Sequence, residues 1–179
     1  MNYTELSKEI SYILRHNPQE YGLKLDNEGW TDLTALISAL RMQEQYKQLE
    51  LADIESMVLH ANKRRHEIHE GKIRALYGHT LKERIEKEPA QPPEILFHGT
   101  SRKSAENIMK EGLSSHGRQY VHLSPDKETA CRVGKRKDSN PAILAIDAKC
   151  AWLEGILFYP GNENIWLSDL IPPQFIRMD

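Results

Sequence analysis

Cysteine is scarce in this chain, and so are long apolar runs and charge of one sign. The two cysteines, Cys131 and Cys150, are too few for a disulfide framework and lack CxxC spacing. No stretch approaches ~20 consecutive apolar residues, so no transmembrane helix is expected. The opening Met1, Asn2, Tyr3, Thr4, Glu5 has no basic segment followed by an apolar run, so it does not read as a secretory signal. A cytoplasmic location follows by default. Net charge is −2, which argues against a general polyanion binder. Residues 1–80 hold 10 Lys+Arg against 12 Asp+Glu, and residues 81–179 hold 14 of each. Any bound nucleic acid must meet a local patch and few phosphates.

What remains is an ordinary soluble composition, 39% hydrophobic and 28% charged over 179 residues. That length allows one domain or two small ones. The segment from Leu81 to Glu94 is charged and then proline-rich, and reads as a linker between residues 1–80 and 95–179. No internal repeat crosses it.

In the first half, Leu6, Ile10, Ile13 and Leu14 share one helical face. Asn2 with Glu5 resembles a capping pair, and Asn17-Pro18 ends the helix. Thr31 can cap a second helix carrying Leu33, Leu36, Ile37 and Leu40. Leu51, Ile54, Val58 and Ala61 suggest a third. Arg65–Ile68 and Lys72–Ala75 flank Glu70-Gly71, a tight turn between two strands. Three helices and a two-stranded wing predict a winged-helix module.

The second half reads as mixed β with few helices. Strands are expected at Ile95–His98, Tyr120–Leu123, Ala142–Ile146, Gly155–Tyr159 and Ile165–Leu167. A helix is expected over Ser104–Glu111, stopped by Gly112. Such a pattern suggests a small, curved or split sheet.

Several residues carry chemistry. Leu14-Arg15-His16 lies at a helix end, where cations are favoured whatever their role. Lys63-Arg64-Arg65 enters the wing, and Arg65, Glu67 and His69 alternate to one strand face. Solvated surface is the ordinary fate of such cations. A converging pair of guanidinium forks is the alternative, an anion site. His66-Glu-Ile-His69 is not HExxH, and His60, His66, His69 and His79 lack zinc spacing, so no metal is expected. His98-Gly99-Thr100-Ser101 follows a strand, and Tyr120-Val121-His122-Leu123-Ser124 forms another. A strand-end glycine admits close backbone approach, and flanking His and Thr side chains can hold hydroxyls or an amide. Arg118 follows Gly117 in a loop, where binding residues concentrate. The basic run Gly134 to Lys137 is either a solvated loop or a diphosphate contact.

These pieces occur in one order and spacing. Leu6-Ser7 leads to Leu14-Arg15-His16. Gly29-Trp30, Lys63-Arg64-Arg65, Ile73-Arg74-Ala75 and Gly78-His79 follow. Leu96-Phe97-His98-Gly99-Thr100, Tyr120 to Ser124, Trp166-Leu167 and Pro172-Pro173 complete the series. In this the chain resembles the RNA 2′-phosphotransferase (KptA) family along nearly its whole length. The resemblance implies an α+β protein with a winged-helix RNA lobe and an ADP-ribosyltransferase-like lobe built on a split β-sheet. It implies NAD as co-substrate and RNA bearing a 2′-phosphate as partner, with no membrane and no metal. A monomer is expected. The family's Arg-His-Arg-Arg set carries over to Arg15, His16, Arg65 and Arg118. His98, Gly99, Thr100, Ser101, His122 and Ser124 are the expected NAD contacts, with Ile165 at the third position of a His-His-hydrophobic signature. The sequence departs from the family at His66 (usually aromatic), at Leu76-Tyr77 (usually a polar pair) and at Thr80 (usually serine). Arg64 competes with Arg65 for the phosphate. Other readings are an ADP-ribosyltransferase acting on protein or nucleic-acid phosphate ends, a winged-helix binder with an inactive partner lobe, and a metallohydrolase.

Overall fold

Asn2 caps the first helix, and the fold follows from a series of such local stops. A computed structural model describes residues 1–179. It divides into two compact units, Met1–Glu86 and Lys87–Asp179.

In the first unit, α1 (Tyr3–Arg15) starts where the Asn2 side chain accepts from the backbone N–H groups of Thr4 and Glu5. Glu5 does not complete a reciprocal capping pair; its carboxylate meets Lys8 at 2.8 Å. Pro18 opens a short 3₁₀ turn, and Gly22, with φ of 67°, closes it. The two-residue β1 (Thr31–Asp32) precedes α2 (Leu33–Leu40). Asp32, not Thr31, caps α2, accepting from Ala35 N–H at 2.7 Å; Thr31 is committed to the sheet, opposite Ile73. Glu50 and Asp53 form a capping box at the start of α3 (Leu51–Leu59). Strands β2 (His66–His69) and β3 (Lys72–Ala75) form a hairpin. Glu70 and Gly71 both have positive φ, 47° and 72°, as a turn matched to strand twist requires. The sheet order is β1-β3-β2. Leu6, Ile10, Ile13 and Leu14 pack with Leu36, Leu40, Ile54 and Ile73 in one core. Each such aliphatic side chain contributes roughly 1.5–3 kcal/mol by leaving water.

Residues 81–94 do not form a free tether. Ile85 is buried, and Glu86 N–H bonds the carbonyl of Asn27, within the first unit. Ala90 N–H bonds the carbonyl of Phe158, within the second.

The second unit runs β4 (Ile95–Thr100), α4 (Arg102–Glu111), β5 (Val121–Leu123), α5 (Lys127–Gly134), β6 (Ala142–Asp147), α6 (Ala148–Leu153), β7 (Phe158–Asn162), β8 (Ile165–Ser168) and β9 (Ile176–Met178). It holds three helices, more than the sequence suggests, because α5 and α6 are short and bury only small residues, Thr129, Ala130 and Gly134 in α5 and Ala148 and Ala151 in α6. The strand expected from Gly155 begins at Phe158, since Gly155, at φ of 94°, ends the turn after α6. All pairings are antiparallel, in two sheets ordered β4-β6-β9 and β5-β8-β7. Phe97 on β4 and Ser124 just after β5 exchange backbone hydrogen bonds of 2.8 and 2.7 Å, joining the two sheets at one point. Leu96, Val121, Leu123, Leu144, Ile146 and Phe158 form the core beneath them.

Candidate active site

Helix α1 delivers Arg15 and His16 at its C-terminal end. Arg15 is half-buried and His16 is its cap residue, with its N–H bonded to the Tyr12 carbonyl. The segment after β3 wraps this end. The Arg15 guanidinium lies over the Tyr77 ring, 4.9 Å from its centroid, and Lys63 approaches the same ring at 5.5 Å. Gly78 sits against the Arg15 side chain; a Cβ there would lie 3.5 Å from Arg15 Cδ. Thr80 N–H caps the Arg15 carbonyl at 3.0 Å, and its hydroxyl meets His16 Nδ1 at 2.8 Å.

Arg65 stands just before β2, half-buried, and its carbonyl accepts from Leu76 N–H. The next residue, His66, turns inward and is buried. Its Nε2 meets the Ser11 hydroxyl at 2.9 Å, tying β2 to α1 one turn before Arg15. Burial pushes the His66 pKa down to about 3, and the guanidiniums of Arg15 and then Arg65 push it the same way. The buried imidazole therefore stays neutral and adds no further positive charge to that of the two arginines. Arg64 differs: it is mostly exposed and pairs with Glu67 at 3.1 Å. Glu67 also takes a two-pronged bond from Arg74, at 2.8 and 3.0 Å.

In the second unit, His98 and His122 sit where the two sheets part. His98 Nδ1 donates to the His122 carbonyl at 3.0 Å, and His122 Nδ1 donates to the Tyr120 carbonyl at 3.0 Å. A carbonyl can only accept, so each ring in its neutral form carries its lone pair on Nε2. Burial lowers the His98 pKa; the bond to His122 opposes this, while the charge of Lys137 and then His116 adds to it.

The backbone explains why the split matters. Phe97 turns its N–H and C=O toward β5. Polar backbone groups repeat their direction every second residue, so Gly99 turns its own pair to the same side. The continued register would set Gly99 opposite His122, but the His98 ring takes the His122 carbonyl instead. The Gly99 amide and carbonyl are thus presented at the parting of the strands, a donor beside an acceptor.

Gly99 is fixed from another direction too. A Cβ there would lie 1.8 Å from the Ala130 carbonyl oxygen, so α5 packs backbone to backbone on β4. Glycine serves helix packing here as well as any ligand. Thr100 is buried at the strand end. Ser101 caps α4, accepting from Ser104 N–H at 3.2 Å. Ser124 forms the sheet junction with Phe97. Continuing the β5–β8 register sets Ile165 level with Ser124. Arg118 is exposed in the loop before β5, after His116 and Gly117, which both have positive φ.

Sequence reasoning did not single out Ser11 or the roles of Tyr77, Gly78 and Thr80. The available signal for Ser11 was a polar residue on the apolar face of α1. No group of three or more His, Cys, Asp and Glu residues is arranged to hold a metal ion, and no helix is long and apolar enough to cross a membrane.

Residues 2–170 match the family model described as RNA 2′-phosphotransferase, Tpt1 / KptA family. A protein of Acetivibrio thermocellus named probable RNA 2′-phosphotransferase is 51% identical over 179 residues, covering 100% of this chain and 98% of that protein. One of Bacillus thuringiensis subsp. konkukian with the same name is 48% identical over 177 residues, covering 99% and 96%. Another so named, from Flavobacterium johnsoniae, is 40% identical over 174 residues, covering 96% and 94%.

Proposed function

Because the chain belongs to the RNA 2′-phosphotransferase, Tpt1/KptA family, we propose that Arg15, Arg65 and Arg118 hold the RNA 2′-phosphate while His16 donates a proton to the departing 2′-oxygen. The enzyme is a transferase that removes an RNA 2′-phosphate with NAD as co-substrate. Residues 1–80 act in this reading as a winged-helix RNA lobe, and residues 95–179 as an ADP-ribosyltransferase-like NAD lobe. The single observation that carries the role of the first lobe is that the buried Ser11–His66 hydrogen bond joins the end of α1, which bears Arg15 and His16, to the start of β2, which follows Arg65.

NAD supplies an electrophilic ribose carbon and a nicotinamide leaving group. The fit rests on the split at His98 and His122. A carboxamide has one donor and one acceptor face, which the Gly99 carbonyl and amide complement. The Nε2 lone pair of His98 suits a ribose hydroxyl, and His122 lines the same split. Thr100, Ser101 and Ser124 complete the expected lining. An aliphatic Ile165 at the third signature position adds no general base. None is needed, since the phosphate brings its own charge.

Two steps follow. The 2′-phosphate attacks the anomeric carbon, and nicotinamide leaves. Guanidinium forks hold the phosphate in line, a positioning effect worth several kcal/mol, on the order of 7 or more when geometry is ideal. Then the ribose 2″-hydroxyl attacks phosphorus, the bond to the RNA 2′-oxygen breaks, and that oxygen takes a proton from His16. The proton of the 2″-hydroxyl is released to water. The products are 2′-hydroxyl RNA and ADP-ribose 1″,2″-cyclic phosphate. Charge gathers on the phosphoryl oxygens in this step, where arginine clamps act most strongly.

The test is an oligonucleotide with a ³²P-labelled internal 2′-phosphate, incubated with and without NAD. The label should move to ADP-ribose cyclic phosphate only when NAD is present. Release as inorganic phosphate without NAD would overturn the reading. ADP-ribose left permanently on the RNA would favour an ADP-ribosyltransferase that modifies phosphate ends.

A further inference from the structure

We propose that Thr80 is a positioning residue that holds His16 with its proton on Nδ1, so that Nε2 is the atom that delivers the proton to the RNA 2′-oxygen. This rests on the role given to His16 above.

Thr80 is fixed on both sides. Its own N–H bonds the Arg15 carbonyl at 3.0 Å, and its neighbour His79 is buried. Gly78, at φ of 91°, turns the chain into this position. A β-branched side chain on a fixed backbone has few rotamers, so the hydroxyl is set in place. It meets His16 Nδ1 at 2.8 Å.

The tautomer follows from the protonation state needed. An acid must start as imidazolium, with N–H on both nitrogens. The Thr80 hydroxyl must then accept from Nδ1. If the proton leaves from Nε2, the Nδ1–H to Thr80 bond survives the transfer unchanged. If it left from Nδ1, that bond would break or the hydroxyl would have to rotate. The contact therefore favours Nε2 as the proton-transfer atom and stabilises the neutral ring that remains. The Tyr12 ring lies 6.0 Å from the imidazole between centroids, tilted by 50°.

The experiment is single-turnover reaction of 2′-phosphorylated RNA with NAD, following both the RNA–phosphate–ADP-ribose adduct and its decay, for the wild type, Thr80→Val, Thr80→Ser and His16→Ala. Nitrogen-15 NMR of the full chain reads the His16 tautomer. Thr80→Val should slow adduct decay about ten-fold, less than the ~100-fold or more a general acid contributes. It should affect adduct formation less, and shift neutral His16 away from Nδ1–H. Thr80→Ser should restore both readouts. Should Thr80→Val fail to fold, Thr80→Ala replaces it. Wild-type decay in the folded Val or Ala variant overturns the proposal, as does decay slowed equally in Thr80→Ser. His16→Ala with normal decay would instead overturn the acid role itself, whatever Thr80 does.

Discussion

Ser11 and His66 lie 55 residues apart and share a buried 2.9 Å hydrogen bond that fixes the end of α1 against the start of β2. Arg15 and Arg65 each lie close to this link in sequence, one helical turn from Ser11 and one residue from His66. The bond therefore ties together the two backbone segments that carry these guanidiniums.

Acid should weaken the first unit through this imidazole. The ordinary value for histidine is 6.5, and His66 in the fold titrates at about 3. Between these values the unfolded chain binds a proton that the fold refuses, so stability falls as pH drops from about 6.5 toward 3. Above pH 6.5 the contribution is complete. The slope is on the order of 1 kcal/mol per pH unit. Denaturant titrations across this range should show a shallower slope for His66→Phe. Ser11→Ala leaves the ring without that partner and should cost about 1–3 kcal/mol at neutral pH.

Gly99→Ala should be severely damaging, and for a reason separate from NAD. The added Cβ would stand 1.8 Å from a backbone oxygen of α5, which cannot rotate away as a side chain can. Thermal melting should show loss of the second unit's transition. A variant with wild-type melting would contradict the close packing of α5 on β4.

His98→Ala should raise the dissociation constant for NAD and leave RNA affinity unchanged. It removes an acceptor at Nε2 and also frees the His122 carbonyl, which then competes for the Gly99 amide. Losing one such bonded group costs about 1–3 kcal/mol, or roughly five- to 150-fold in affinity. Titration calorimetry with NAD, in the absence of RNA, reads this directly.

The local stops of the fold were legible in the sequence. Asn2, Asn17-Pro18, Glu70-Gly71 and Gly112 each act through their own backbone or cap, so the chain announces them. Thr31 and Asp32 are both good caps in isolation; strand pairing with Ile73 took Thr31 and left Asp32 for the helix. Helix α5 was not legible, because the face it buries carries only the small Thr129, Ala130 and Gly134, and it is held by Asp126 at its start and by Gly99 beneath it. The candidate site was named by family pattern, but its supports were not. Ser11–His66 and His16–Thr80 join residues 55 and 64 positions apart, and no local period carries such information.

That Arg15 and Arg65 grip the 2′-phosphate is tested most directly by binding alone. Affinities of a 2′-phosphorylated RNA and its 2′-hydroxyl twin should be measured without NAD, at fixed salt, for wild type, Arg15→Ala, Arg65→Ala and Arg64→Ala. The wild type and Arg64→Ala should prefer the phosphorylated RNA, and Arg15→Ala and Arg65→Ala should lose that preference. An undiminished preference in both Arg15→Ala and Arg65→Ala, or its loss in Arg64→Ala alone, would contradict the assignment.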